Sequence, residues 1–108
     1  MEEVLFFNPS HSPDKELIYV IIGARFNNKW IFIRHNRRNG YELPAGRIND
    51  FEFAEEAAGR ELYEETGAEL YNIDCIATYS VKENGITGWG RLFFADIIEL
   101  GEREDNDE

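Results

Sequence analysis

The sequence predicts a single α/β domain in which one helix lies against a β-sheet. Three observations predict it. The chain has 108 residues, close to the commonest domain size and too few for a second core. One segment, residues 53–66, repeats Ala54, Ala57, Ala58 and Leu62 at helical spacing. The remainder is made of short β-rich runs separated by turn signals. Apolar residues make up 43% and aromatic residues 14%, enough for one core, which excludes a wholly disordered chain.

The elements follow in order. Residues 4–7 are short and apolar, and Asn8-Pro9-Ser10 and Ser12-Pro13-Asp14 then break the chain into a loop. Residues 17–24, rich in Ile and Val, read as a buried strand. Asn27-Asn28 turns the chain, and residues 30–34 return as a hairpin partner. Residues 36–40 form a polar loop, and residues 41–43 must stay extended before Pro44. Asn49 or Asp50 is expected to cap the helix of residues 53–66. Gly67 stands where a left-handed residue ends a helix. Residues 73–81 alternate as a strand, Asn84-Gly85 is a hairpin signal, and residues 89–98 return beside it. Residues 1–100 are thus one domain, and residues 101–108 are an acidic tail expected to be disordered.

Charge narrows the function. The net charge is −11, which argues against a non-specific binder of DNA, RNA or anionic membrane. The longest clean apolar run, residues 17–22, is far too short to span a bilayer. The acidic start Met1-Glu2-Glu3 is not a secretory signal. A single cysteine, Cys75, can form no internal disulfide, so a reducing, cytoplasmic setting is expected. The charge is also unevenly placed. Residues 52–69 carry −6, the tail −4, and residues 34–47 carry +3 through Arg34, Arg37, Arg38 and Arg47 against Glu42. A basic loop therefore runs straight into an acidic helix, which suits a metal beside an anionic substrate and equally a solvated surface.

On a helical wheel at about 100° per residue, Glu61 and Glu65 fall within roughly 20° of Ala54, and Glu64 within roughly 80°. Three carboxylates thus extend the apolar stripe toward the helix C-terminus. Like charges at these spacings repel, and they oppose the helix dipole. Either a divalent cation neutralises them or they lie on an exposed shoulder, and the wheel leaves both open.

A resemblance carried by the spacing favours the cation. From Gly46 the chain reads five residues to Glu52, then seven to Arg60-Glu61-Leu62-Tyr63-Glu64-Glu65-Thr66-Gly67-Ala68. This resembles the complete box of the Nudix family. Chance would give the seven fixed positions roughly twice in 100,000 such sequences. The order of elements, from about residue 17 to 98, is also similar to that family. The resemblance implies a mixed β-sheet with the box helix packed on it, in an α/β/α sandwich. The family's usual further strand and C-terminal helix are expected to be missing, since the chain stops about ten residues after Ile98.

The resemblance further implies a hydrolase of nucleoside diphosphates linked to a further group, dependent on Mg²⁺ or Mn²⁺. Glu61 and Glu65 match the catalytic and metal-binding carboxylates, Glu61 also as general base. Glu64 and the carbonyl of Ala45 match further metal ligands. Gly46, Glu52, Arg60 and Gly67 match positions that shape the box. One more acidic group is expected among residues 99–108. Arg34, Arg37 and Arg47 are candidates to hold phosphates, and Tyr41 to stack a base. Phe6, Phe7 and Trp89 are further stacking candidates. The box ends in Ala68 where a larger aliphatic is usual, and residues 48–51 lack the family's usual Pro-Gly turn. The expected substrate is a small nucleotide, foremost an oxidised purine nucleoside triphosphate as in MutT-like members. An ADP-ribose or nucleotide-sugar pyrophosphatase, or a nucleotide-binding module that has lost turnover, are the alternatives. A homodimer is left open.

Overall fold

The computed structural model describes residues 2–34 and 40–101. The strands are β1 (Glu2–Phe7), β2 (Tyr19–Phe26), β3 (Lys29–Ile31), β4 (Ala45–Arg47), β5 (Ala68–Glu83) and β6 (Ile86–Leu100), with one helix, α1 (Ala54–Thr66), between β4 and β5. They form one sheet in the order β1-β5-β6-β2-β3, and β4 shares with β3 the free edge of β2. β2 and β6 run parallel and the other pairs antiparallel, so the sheet is mixed.

Two turns come directly from the sequence. Asn27 and Asn28, and then Asn84 and Gly85, all have positive φ. That is the two-residue turn whose twist matches a hairpin, and Phe26↔Lys29 and Glu83↔Ile86 close it in each case. The hairpin of β5 and β6 is longer than expected. β3 is shorter, ending at Ile31, and only Ile33 pairs onward, with Glu42. β4 was not expected as a strand. Three residues, Ala-Gly-Arg, carry no alternation to read.

One face of the sheet is packed. Val20, Ile22 and Ala24 of β2 and Phe93, Ala95 and Ile97 of β6 meet Ala54, Ala57, Ala58 and Leu62 of α1. The alanines let the helix lie close to the sheet. Of the layers expected, this is the only helix among the described residues.

The helix ends confirm one expectation and correct another. Gly67 adopts φ 80° and its N–H donates to the Tyr63 carbonyl at 2.9 Å, closing the helix as expected. The N-cap is Phe53 rather than Asn49 or Asp50. A phenylalanine side chain accepts nothing from the first-turn N–H groups, and Glu56 reaches back and takes the Phe53 N–H at 2.9 Å. Asn49 serves a turn before the helix, where its N–H donates to Glu52 at 2.9 Å.

Candidate active site

The site is built where α1 crosses β4. Pairing of Tyr19↔Arg47, Val20↔Gly46 and Ile21↔Ala45 fixes the directions of β4. Gly46 faces the helix with Val20, while Ala45 and Arg47 face the other way with Ile21 and Tyr19. Gly46 has no side chain because Glu61 occupies the space. A Cβ there would lie 2.0 Å from Glu61 Oε2 and 2.1 Å from its Cδ. One turn along the helix, Glu65 Oε1 accepts the Ala45 N–H at 3.1 Å. Glu61 and Glu65 are therefore both held against the same short strand.

Arg60 fixes the rest. Its Nε and one terminal nitrogen donate to the two oxygens of Glu52 at 2.8 and 3.0 Å, a bidentate pair. That same nitrogen donates to the Arg47 carbonyl at 2.9 Å. The other terminal nitrogen donates to Glu61 Oε2 at 2.9 Å and to Glu64 Oε1 at 3.4 Å. One guanidinium thus ties the turn before the helix, the edge strand and two helix carboxylates together. The Glu61 side chain is 13% exposed and that of Glu64 53%, so Glu64 stands at the rim.

The electrostatics follow from this wiring. The hydrogen bonds from Arg60, then that from the Asn49 N–H, hold the Glu52 carboxyl down at about 2. The same pair pushes Arg60 further up. Burial pushes Glu61 up, against the pull of Arg60. Around one guanidinium, one carboxyl is thus made harder to protonate and another easier.

A cleft of about 390 Å³ opens at this point. Glu61, Glu65, Ala45, Gly46 and Arg47 line it, with Tyr19, Leu43 and Glu42. Tyr41 does not line it and is 68% exposed. Neighbours in an extended segment point to opposite sides, which is how Glu42 reaches the cleft beside a Tyr41 that does not. Alternation was the available signal for Glu42, and pairing with β4 was needed to find Tyr19. Arg34 is exposed, beyond β3, and is not among the lining residues. Arg37 and Arg38 lie outside the described residues, as do residues 102–108. Phe7 and Trp89 stack with His11, at centroid distances of 4.6 and 5.5 Å, away from the cleft. Phe6 is not among the cleft's lining residues either. A second hollow, of about 500 Å³, lies across Glu52 against Leu17 and Arg91 and contains neither Glu61 nor Glu65.

Among the described residues no three acidic, histidine or cysteine side chains converge as a ready-made metal cage. The donors themselves suit a hard cation. Carboxylates of Glu61, Glu65 and Glu64 and the Ala45 carbonyl are all oxygen ligands, the set that Mg²⁺ or Mn²⁺ takes.

The NUDIX domain family model matches residues 14–106. YtkD of Bacillus subtilis, named as a candidate 8-oxo-dGTP diphosphatase, is 37% identical over 105 residues, covering 95% of this chain and 63% of that protein. An RNA pyrophosphohydrolase of Baumannia cicadellinicola is 36% identical over 59 residues, covering 55% of this chain and 36% of that protein. Among solved structures, a mutant of the Bacillus subtilis pyrophosphohydrolase BsRppH superposes with a TM-score of 0.81 at 33% identity, covering 94% of this chain and 64% of that one. A NUDIX hydrolase from Nitrosomonas europaea gives 0.64 at 23% identity, covering 86% and 68%, and supports the fold alone. The chain thus spans a little under two thirds of the Bacillus subtilis protein and of the BsRppH chain.

Proposed function

The chain belongs to the Nudix family, and we propose that it is a metal-dependent pyrophosphohydrolase of nucleoside diphosphate derivatives, foremost of an oxidised purine nucleoside triphosphate. The observation that carries this is the convergence of Glu61, Glu65, the Ala45 backbone and Arg47 on one cleft at the strand that precedes the helix.

Each group has a task in that reaction. Glu61, Glu65, Glu64 and the Ala45 carbonyl would hold Mg²⁺ or Mn²⁺, which when bound supplies charge neutralisation for the pyrophosphate oxygens. Arg47, which lines the cleft, would bind phosphate through its guanidinium fork, and Arg34 and Arg37 are further candidates for that task. Glu61, packed against Gly46 and partly desolvated, would take a proton from the attacking water. Arg60 holds Glu61 in place rather than touching substrate. Tyr41, outside the cleft wall, contributes only if substrate extends past Glu42.

A second reading, hydrolysis of a phosphoric anhydride on RNA, is favoured by the name of one relative, an RNA pyrophosphohydrolase. An ADP-ribose or nucleotide-sugar pyrophosphatase, and a binding module without turnover, remain the other outcomes. The experiment is a panel with Mg²⁺ or Mn²⁺ covering 8-oxo-dGTP, ordinary nucleoside triphosphates, ADP-ribose, dinucleoside polyphosphates and a 5′-triphosphorylated oligoribonucleotide. Turnover should need metal and be highest for 8-oxo-dGTP. In Glu65→Gln the rate should fall by about 10² or more. Full activity in that variant, or activity indifferent to a chelator, overturns the metal assignment. Nucleotide-induced thermal stabilisation without hydrolysis across the panel favours the binding module instead.

A further inference from the structure

The sheet ends in a strand that is open on one side. β1 pairs with β5 in an unbroken ladder from Glu2↔Glu83 to Phe7↔Thr78. Among the described residues nothing pairs its other edge. Val4, Leu5 and Phe6 are 43, 48 and 65% exposed. Open edges are normally guarded by a lysine, a proline, a bulge or an inward-pointing charge. From Val4 to Phe7 this strand has none of these.

Its charges sit at one end, as Glu2 and Glu3, and they restrict what can pair there. A twofold axis perpendicular to the sheet keeps each face continuous, so residues of the same face oppose one another. Centred on Val4, it sets Val4 against its own copy, Glu3 against Leu5 and Glu2 against Phe6 of the second copy. Centred on Leu5, it sets Val4 against Phe6 and Glu3 against Phe7. No glutamate meets a glutamate in either register. A parallel, in-register pairing would stack Glu2 on Glu2 and Glu3 on Glu3, which is unfavourable. Both faces gain apolar contact, Leu5 on the helix side and Val4 and Phe6 on the other.

We propose that β1 is a self-association edge, at which two copies of this chain join antiparallel to make one sheet through both. An edge pairing of six residues buries less than the roughly 1,600 Å² of a standard interface, so the dimer is weak and reversible. Each copy carries −11, and this repulsion opposes association. Salt screens it, so the dimer tightens as salt rises, the reverse of an interface held by ion pairs. β1 lies at the opposite margin of the sheet from β4, so the cleft stays open. The inference does not rest on the proposed reaction.

Sedimentation equilibrium of the full chain tests it, with amide NMR to locate the contact. The average mass should climb from 12.6 kDa toward twice that with concentration. It should climb further in about 0.5 M than in about 0.05 M NaCl. Concentration-dependent amide shifts should centre on residues 4–7. The double variant Val4→Glu/Leu5→Glu sets glutamate against glutamate in both registers, and it should stay monomeric while the amide signals of α1 are unchanged. A mass of one chain at every concentration and salt overturns the proposal. So do association that weakens with salt, and shifts that map to other exposed apolar residues such as Ile86 or Ile98.

Discussion

Arg60 and Glu52 meet through two parallel hydrogen bonds, and the consequence for stability can be read from the direction of the Glu52 shift. Its carboxyl is held at about 2 in the fold against an ordinary 4.5. The folded chain therefore binds this proton less readily than the unfolded one. The pair's contribution is complete above 4.5 and is lost as pH falls from there to about 2. Glu52→Gln should be less stable than the parent at pH 7 and should lose less on acidification, measured as urea midpoints from pH 7 to 2. If the variant keeps the parent's full acid sensitivity, the sensitivity arises elsewhere. At Gly46 the relevant quantity is space. An added methyl would stand 2.0 Å from Glu61 Oε2, so the carboxylate must swing away. Gly46→Ala should fold and lose roughly 10² in kcat/KM, because a displacement of about 1 Å at the reacting groups costs that much. A variant of unchanged kcat/KM would show that Glu61 is not needed where it lies. Both residues were marked by the box spacing, but neither the five-fold contacts of Arg60 nor the Glu61–Gly46 approach can be read from spacing, since both depend on β4 lying under the helix.

At the scale of elements, two positions with nearly the same φ illustrate what backbone strain does. Gly67 closes α1 at φ 80° and Phe51 turns the chain before it at φ 64°. A residue with a Cβ is strained in this region by about 1–2 kcal/mol, so Gly67→Ala should lower stability by about 1 kcal/mol, or some 4–8 °C in Tm. Phe51 is fully exposed, so Phe51→Gly gives up no packing. It relieves the strain but frees the unfolded chain, and should raise stability by about 0.5 kcal/mol. Opposite signs in thermal melts are the expected result, and a destabilised Phe51→Gly would mean that the ring makes contacts in solution. The sequence announced Gly67 through its place after the helical run, and the Asn-Gly and Asn-Asn turns through their chemistry. It did not announce the N-cap. Asn49 and Asp50 are better caps than phenylalanine by side-chain chemistry, but the helix starts at Ala54, and there Glu56 accepts the N–H of Phe53. β4 was hidden for a different reason: its pairing with β2 is non-local, and three residues show no period.

For the whole molecule, the net charge of −11 divides into parts with separate meanings. The sequence marked the acidic helix and the basic segment before it, and the fold sets Glu61 and Glu65 of the first beside Arg47 of the second in one cleft. Parallel pairing of β2 with β6, which makes the sheet continuous behind that cleft, joins segments some seventy residues apart in sequence and has no local signature. The excess negative charge predicts two distinct responses to cations. Any salt screens self-repulsion and should stabilise the chain modestly. Mg²⁺ should do more, because a cation held by Glu61, Glu65 and the Ala45 carbonyl binds the folded chain and not the unfolded one. At a Mg²⁺ concentration about 100 times its Kd, that linkage is worth about 2.7 kcal/mol, or on the order of 10 °C in a domain of this size. The comparison is a thermal melt in about 10 mM MgCl₂ against NaCl of equal ionic strength, about 30 mM, so that screening is the same in both. The parent should melt higher in Mg²⁺. In Glu65→Gln the two salts should become equivalent, because that variant loses a ligand and keeps almost all of the charge. Equal melting of the parent in both salts would mean that its acidic helix is only a charged surface, and the carboxylates of the box would then need another explanation.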